Sequence, residues 1–157
     1  MKQVIIDTLN EVSADLESLQ DDCFIIGGAA LFLLDVPIKR THDIDILCSK
    51  RDAASLCDRW ARFKNEDPNT TDDELFKSDF HQFVFPNIEV EVQGELMVKK
   101  GDVWVPIKVE SYQEVKLNKV KVKVPTLAEM LRILRLFGRP KDLKRISFIE
   151  QYLATKA

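Results

Sequence analysis

Two short stretches of this sequence carry residues whose types and spacing can do chemistry. Gly27-Gly28 follows the apolar run Cys23-Phe24-Ile25-Ile26 and precedes a second apolar run, Ala29 to Leu34. A strand that passes through two glycines into a helix lets the backbone approach a ligand closely. The helix start then aims N–H groups and a positive dipole end at that ligand, which is how a phosphate is cradled. Farther on, Asp43-Ile44-Asp45-Ile46 alternates acid and apolar residue. Positions i and i+2 of a strand share a face, so both carboxylates leave one face while Ile44 and Ile46 bury the other. Carboxylates so close repel each other unless cations lie between them. Mg²⁺ suits such a pair, because it takes oxygen ligands and is held through carboxylates together with substrate phosphates.

A third acid is offered by Ile88-Glu89-Val90-Glu91-Val92, again with two carboxylates on one strand face. If this strand lies beside residues 43–48, Glu89 or Glu91 completes a three-carboxylate cluster. Such a cluster can hold two metal ions about 3.5–4 Å apart, one activating an attacking hydroxyl and one holding the leaving phosphate. The glutamate can also act as general base for that hydroxyl. Arg132, Arg135 and Arg139 fall on one helical stripe, suited to a triphosphate or an anionic acceptor. Lys119, Lys121 and Lys123 line one strand face, which either discourages edge pairing or meets an RNA backbone. His81 and the cysteines lack the spacing of zinc ligands. Trp60 reads as core, and Trp104 sits among polar residues.

The elements that must position these groups follow from periodicity. Ile5, Leu9, Val12, Leu16 and Leu19 predict a helix over 3–20. Strands are predicted over 23–26 and 43–48, with a short buried helix over 29–34 between them. Ser49 caps a helix over 51–63. Residues 64–79 are acidic and rich in helix and strand breakers, which predicts a mobile loop. A hairpin then covers 80–85 and 88–92, and further strands cover 103–109 and 120–124. Pro125-Thr126 opens a helix to about Phe137, with Leu127, Leu131 and Leu134 inward. Gly138 ends it, and Pro140 opens the last helix. The expected fold is α/β of the α+β kind: a mixed sheet flanked by helices, with a helical C-terminus.

The chain has 157 residues, 45% hydrophobic and 31% charged, which is one domain's worth and excludes collagenous or wholly disordered classes. We read 1–157 as a single domain, with a core over about 22–125 and terminal helices over about 126–154. No apolar run approaches a membrane span, and the first residues do not read as a secretory leader. Three scattered cysteines (Cys23, Cys48, Cys57) point to reduced thiols and a cytoplasmic setting. The net charge of −3 conceals an asymmetry. Up to Val98 there are nine Lys and Arg against twenty Asp and Glu; beyond it, fourteen against six. An acidic half beside a basic half is what a site for metal cations and phosphates together requires.

Ile25-Ile26-Gly27-Gly28 followed by Asp43-Ile44-Asp45-Ile46 resembles the signature of the minimal nucleotidyltransferases of the DNA polymerase β superfamily. The lead-in Lys39-Arg40-Thr41-His42 resembles that of antibiotic- and toxin-type members. Val90-Glu91-Val92-Gln93-Gly94 is similar to the family's third-acid strand, which favours Glu91 over Glu89. Residues 124–143, with Gly138-Arg139-Pro140-Lys141-Asp142 near their end, are similar to its helical segment. The resemblance runs in order over about 22–150, although 49–80 and 95–123 match only in element pattern. Relatives often carry a lysine in the helix before Gly138; this chain has Arg132 and Arg135 there.

The resemblance implies transfer of a nucleoside monophosphate from an NTP such as ATP to an acceptor hydroxyl, with release of pyrophosphate. Gly27, Gly28, Lys39, Thr41, Arg132, Arg135 and Arg139 would bind the nucleotide. Asp43, Asp45 and Glu91 would hold Mg²⁺, as two ions, with Mn²⁺ an alternative. Candidate acceptors are an RNA or tRNA end, a protein hydroxyl as in toxin–antitoxin modules, or a small hydroxylated antibiotic. A homodimer would give a small chain more acceptor surface. The alternative reading is an inactive nucleotidyltransferase fold that binds nucleotide or RNA. A metal-dependent nuclease is a weaker third reading, because a nuclease has no triphosphate for the glycines to hold.

Overall fold

The structure is a computed structural model, and it describes residues 1–68 and 74–156. Phe24, Ile25 and Ile26 are buried on both faces and form the short central strand β1 (Phe24–Ile26). Helix α1 (Lys2–Glu11) and the short α2 (Ser13–Glu17) precede it, and α3 (Gly27–Leu33) follows directly. Next come β2 (Asp43–Cys48) and α4 (Lys50–Arg59), whose start is capped by Ser49 accepting from the Asp52 N–H. Strands β3 (Phe76–Val84), β4 (Glu89–Lys100), β5 (Val103–Pro106), β6 (Tyr112–Lys116) and β7 (Lys121–Pro125) complete the sheet. Helices α5 (Leu127–Phe137) and α6 (Pro140–Lys156) end the chain.

The seven strands run in the order β3-β4-β2-β1-β7-β6, with β5 paired to β4. β2 is parallel to β4 and β1 to β7, while the other pairs are antiparallel, so the sheet is mixed as expected. One face carries Ile25, Ile44, Ile46, Val90 and Val92 into the larger core, beneath Ile5, Leu9, Ala29 and Leu56 of the helices. The other face carries Phe24, Ile26 and Leu47 into a smaller cluster covered by Ile133 and Phe137 of α5. Asp43 and Asp45 share that second face with Leu47, by alternation along β2. The helix therefore covers the apolar end of this face and leaves the acidic end open.

Strand β4 changes face midway. Val90 and Val92 enter the larger core, but Leu96 and Val98 enter the smaller one. Val92 and Leu96 are an even number of residues apart and would share a face in a regular strand. Glu95 breaks the alternation: its φ is +52°, and the β3 register shifts between Lys77 and Asp79 opposite it. This bulge rotates the far half of β4, so Leu96 and Phe76 reach the same side as Glu91 and Gln93.

Several expected boundaries differ. The helix expected over 3–20 bends at Val12 (φ −101°, ψ 16°) and divides into α1 and α2. The Val12 N–H still bonds Thr8 O and the Leu16 N–H bonds Val12 O, so the chain bends without leaving the core. The helix expected over 51–63 ends at Arg59, with a 3₁₀ turn over Ala61–Phe63. The loop expected over 64–79 is shorter. Residues 69–73 of it lie outside the described residues, but β3 already begins at Phe76, paired with the far half of β4. β6 was not expected, because Val115 is its one half-buried side chain and leaves no alternation to read. On α5 the buried stripe is Met130, Ile133, Leu134 and Phe137, while Leu127 and Leu131 are only half-buried.

The bulge generates a prediction. A left-handed conformation costs an L-residue about 1–2 kcal/mol, and a β-branched residue more. Glu95→Gly is expected to raise the unfolding free energy by about 1 kcal/mol, and Glu95→Val to lower it by at least about as much. Urea unfolding measures both.

Candidate active site

The site begins where β1 turns into α3. Gly27 has φ +68°, and a Cβ there would lie 2.5 Å from Asp45 Oδ2. A Cβ on Gly28 would lie 2.5 Å from Thr41 Oγ1 and 3.1 Å from Arg145 Nη2. Both glycines are thus close-approach positions, which seat the elbow against Asp45 on one side and Thr41 on the other. Thr41 is buried, and its hydroxyl donates to Asp43 O at 3.3 Å.

The acids converge through strand register. β2 and β4 are parallel, with Asp43 opposite Glu89 and Asp45 opposite Glu91. Carboxylate oxygens of Asp43, Asp45 and Glu91 lie within 4.8 Å of one another. Glu89 faces the same side, but accepts from Gln82 Nε2 at 3.2 Å and is not in the cluster. Gln93 Nε2 donates to Asp45 Oδ1 at 3.2 Å. Burial, then Asp43 and Glu91, hold the Asp45 carboxyl well above the ordinary range; Arg145 and Lys141 oppose this. Burial, then Asp43, raises Glu91 to about 7, again against Lys141.

These acids line a cleft of about 510 Å³. Its opposite wall is the start of α6, with Lys141 and Arg145 one turn apart. Arg139 stands at the mouth of that helix. Its guanidinium donates from Nε and Nη2 to the fully buried Asp142, at 2.7 and 3.1 Å, and stacks on Phe76 at 4.8 Å. The far end of the cleft is apolar and aromatic, with Phe76, Phe80, Leu96, Trp104 and Phe137. Hard oxygen donors crowded in this way, without nitrogen or sulfur ligands, fit a divalent cation such as Mg²⁺ or Mn²⁺.

Of the residues singled out in the sequence, the cleft gathers Gly27, Thr41, Asp43, Asp45, Glu91 and Arg139, with Gly28 packed behind Thr41. Lys39 is exposed and does not line the cleft. Arg132 donates to Glu129 at 2.5 Å and to Lys108 O at 2.7 Å, and Arg135 pairs with Glu150 at 3.6 Å. Both lie off the buried stripe of α5 and point away from the cleft. Trp60 is buried and donates to Asp15 Oδ2 at 2.8 Å. Sequence reasoning missed Lys141, Arg145 and Gln93. The first two had a readable signal: cations at i and i+4 directly after the helix-opening Pro140. Gln93 had one too, two residues beyond Glu91 on the same strand face.

No protein-family model matches the chain, and no curated protein matches it. Solved structures do. A Thermotoga maritima protein described as a nucleotidyltransferase superposes with a TM-score of 0.73 at 20% identity, covering 96% of this chain and 92% of that one. The antibiotic-resistance factor ANT(2'')-Ia gives a TM-score of 0.60 at 10% identity, covering 99% and 88%. The same factor in complex with adenylyl-2''-tobramycin gives 0.57 at 12%, covering 99% and 92%. The chain therefore has the nucleotidyltransferase fold. No helix among the described residues is long and apolar enough to cross a membrane.

The raised Glu91 carboxyl generates a prediction in chelator. The folded chain holds this proton up to about pH 7, whereas the unfolded chain releases it near 4.5. On this account stability declines as pH rises through that window. Glu91→Gln removes the penalty, so its melting temperature should gain on the wild type at pH 8 relative to pH 5. Equal pH dependence of the two proteins would contradict the assignment.

Proposed function

We propose that this protein is a nucleotidyltransferase that moves a nucleoside monophosphate from an NTP to an acceptor hydroxyl. The observation that carries the reading is the cluster itself: Asp43, Asp45 and Glu91 within 4.8 Å, facing Lys141 and Arg145 across one cleft. The fold supports it, since the structural neighbours include nucleotidyltransferases.

In this reading Asp43, Asp45 and Glu91 hold Mg²⁺. Held there, the metal would supply Lewis-acid activation of the acceptor hydroxyl and charge neutralisation at the phosphates. The chain's own groups do the rest. The Gly27-Gly28 elbow lets Asp45 and Thr41 close up against the backbone and so sets them at the edge of the cleft. Lys141, Arg145 and Arg139 neutralise the triphosphate oxygens, with the buried Asp142 fixing the direction of Arg139. Glu91 takes the proton of the acceptor hydroxyl. That oxygen then bonds to the α-phosphorus, the bond to the β-phosphate breaks, and pyrophosphate leaves. Positioning and charge neutralisation supply most of the acceleration in such reactions. The acceptor class ranges over an RNA end, a protein hydroxyl and a small hydroxylated molecule. The last would parallel ANT(2'')-Ia, whose complex contains adenylyl-2''-tobramycin.

Incubation with labelled NTPs, Mg²⁺ and either total RNA or lysate tests this directly. Label transfer should fall by about 10³-fold or more in Asp43→Asn, Asp45→Asn and Glu91→Gln. Transfer that persists unchanged in all three would exclude the proposal.

A further inference from the structure

A second cluster of reactive side chains lies on the opposite face of the sheet. Cys57, in the last turn of α4, places its Sγ 3.6 Å from His81 Nδ1. The other ring nitrogen, His81 Nε2, lies 3.2 Å from Asp79 Oδ1. Asp79 and His81 are two apart on β3 and share a face. His81 pairs with Val92, whose side chain enters the larger core, so the cluster points away from Glu91 and its cleft. The order is nucleophile, base, orienting carboxylate, with each ring nitrogen engaged by one neighbour. That is the arrangement by which a histidine can take a proton from an attacking sulfur while a carboxylate holds the ring. Cys57 is half-buried against the larger core, and the His81 and Asp79 side chains are 17% and 33% exposed, so the cluster is partly open to solvent. The other thiols differ. Cys48 is buried, with its thiol pushed up to about 12 by burial and the nearby acids Asp52 and Asp79. Cys23 is likewise pushed up by burial, and neither has a histidine beside it.

We propose that Cys57, with His81 as base and Asp79 as positioning residue, is a thiol modification site for small disulfides. The Cys57 sulfur attacks one sulfur of the disulfide and forms a mixed disulfide. The original S–S bond breaks, and its electron pair leaves on the second sulfur. The proton lost by Cys57 passes through His81 Nδ1 to that leaving thiolate. Cys57 is thereby oxidised and half of the reagent reduced to thiol, with no further reactant. This reading is independent of the transferase assignment.

The test uses the full chain and hydroxyethyl disulfide, a neutral probe, with the modified peptides identified by mass spectrometry. Cys57 should be modified first of the three cysteines, about tenfold faster than in the urea-unfolded chain. His81→Ala should slow it about tenfold, and added imidazole should restore part of the rate. Asp79→Asn should slow it less, and Asp79→Glu should retain the rate. A merely structural histidine would not be replaced by free imidazole. The proposal fails if folded Cys57 reacts no faster than the unfolded chain, or if His81→Ala keeps the wild-type rate. Should that variant not fold, the comparison of folded with unfolded wild type decides alone.

Discussion

Three carboxylates within 4.8 Å of one another cannot all ionise in a partly buried cleft without positive charge beside them. This constraint organises the structure. Asp43 and Asp45 are brought together by strand alternation alone, but Glu91 arrives through the parallel pairing of β2 with β4. The pairing is held from the other face by Ile44, Ile46, Val90 and Val92, so apolar burial maintains the like-charge crowding in front of it. Lys141 and Arg145, which belong to the last helix, supply the fixed positive charge. The crowded carboxylate oxygens are compatible with a divalent cation as a further source of positive charge.

The same economy appears in how the cleft is walled. The helix α5 could cover the whole second face of the sheet, but its buried residues stop at Phe137, where Gly138 takes a left-handed φ of +67° and turns the chain. Arg139 then stands at the start of α6 with its own N–H and guanidinium both bound to Asp142. The turn therefore ends one helix, starts the next, and directs a cation across the mouth. The bulge at Glu95 completes the wall from the sheet side by rotating Leu96 toward the smaller core.

Much of this was legible before any coordinates. The Gly27-Gly28 elbow and the Asp43-Asp45 pair could be read because each depends on local geometry: a left-handed turn in one case, period-two alternation in the other. Glu91 could be favoured over Glu89 only through the family resemblance. In the structure the distinction rests on Gln82, which engages Glu89 from a neighbouring strand. Arg132 and Arg135 share one stripe with Arg139 in sequence, but their partners Glu129, Lys108 O and Glu150 draw them elsewhere. Helical spacing says which residues lie side by side and nothing about which neighbour claims them. The early start of β3 and the existence of β6 were hidden for a related reason. Phe76 pairs with Val98 at the far end of β4, outside any local pattern, and β6, although it forms a hairpin with the adjacent β7, turns only Val115 toward the core, which is too little alternation to read.

By itself the amino-acid order determined the short-range facts: which residues alternate on a strand, where glycine and proline end an element, and which acids leave one face together. These follow from covalent geometry and from burial patterns a few residues long. Only the folded chain decided which strands lie side by side and at what register, and so whether Glu91 meets Asp45. It alone brought Lys141 and Arg145 opposite the acids, and set Cys57 against His81 on the reverse face. Such meetings depend on the packing of the entire core, which no local stretch encodes.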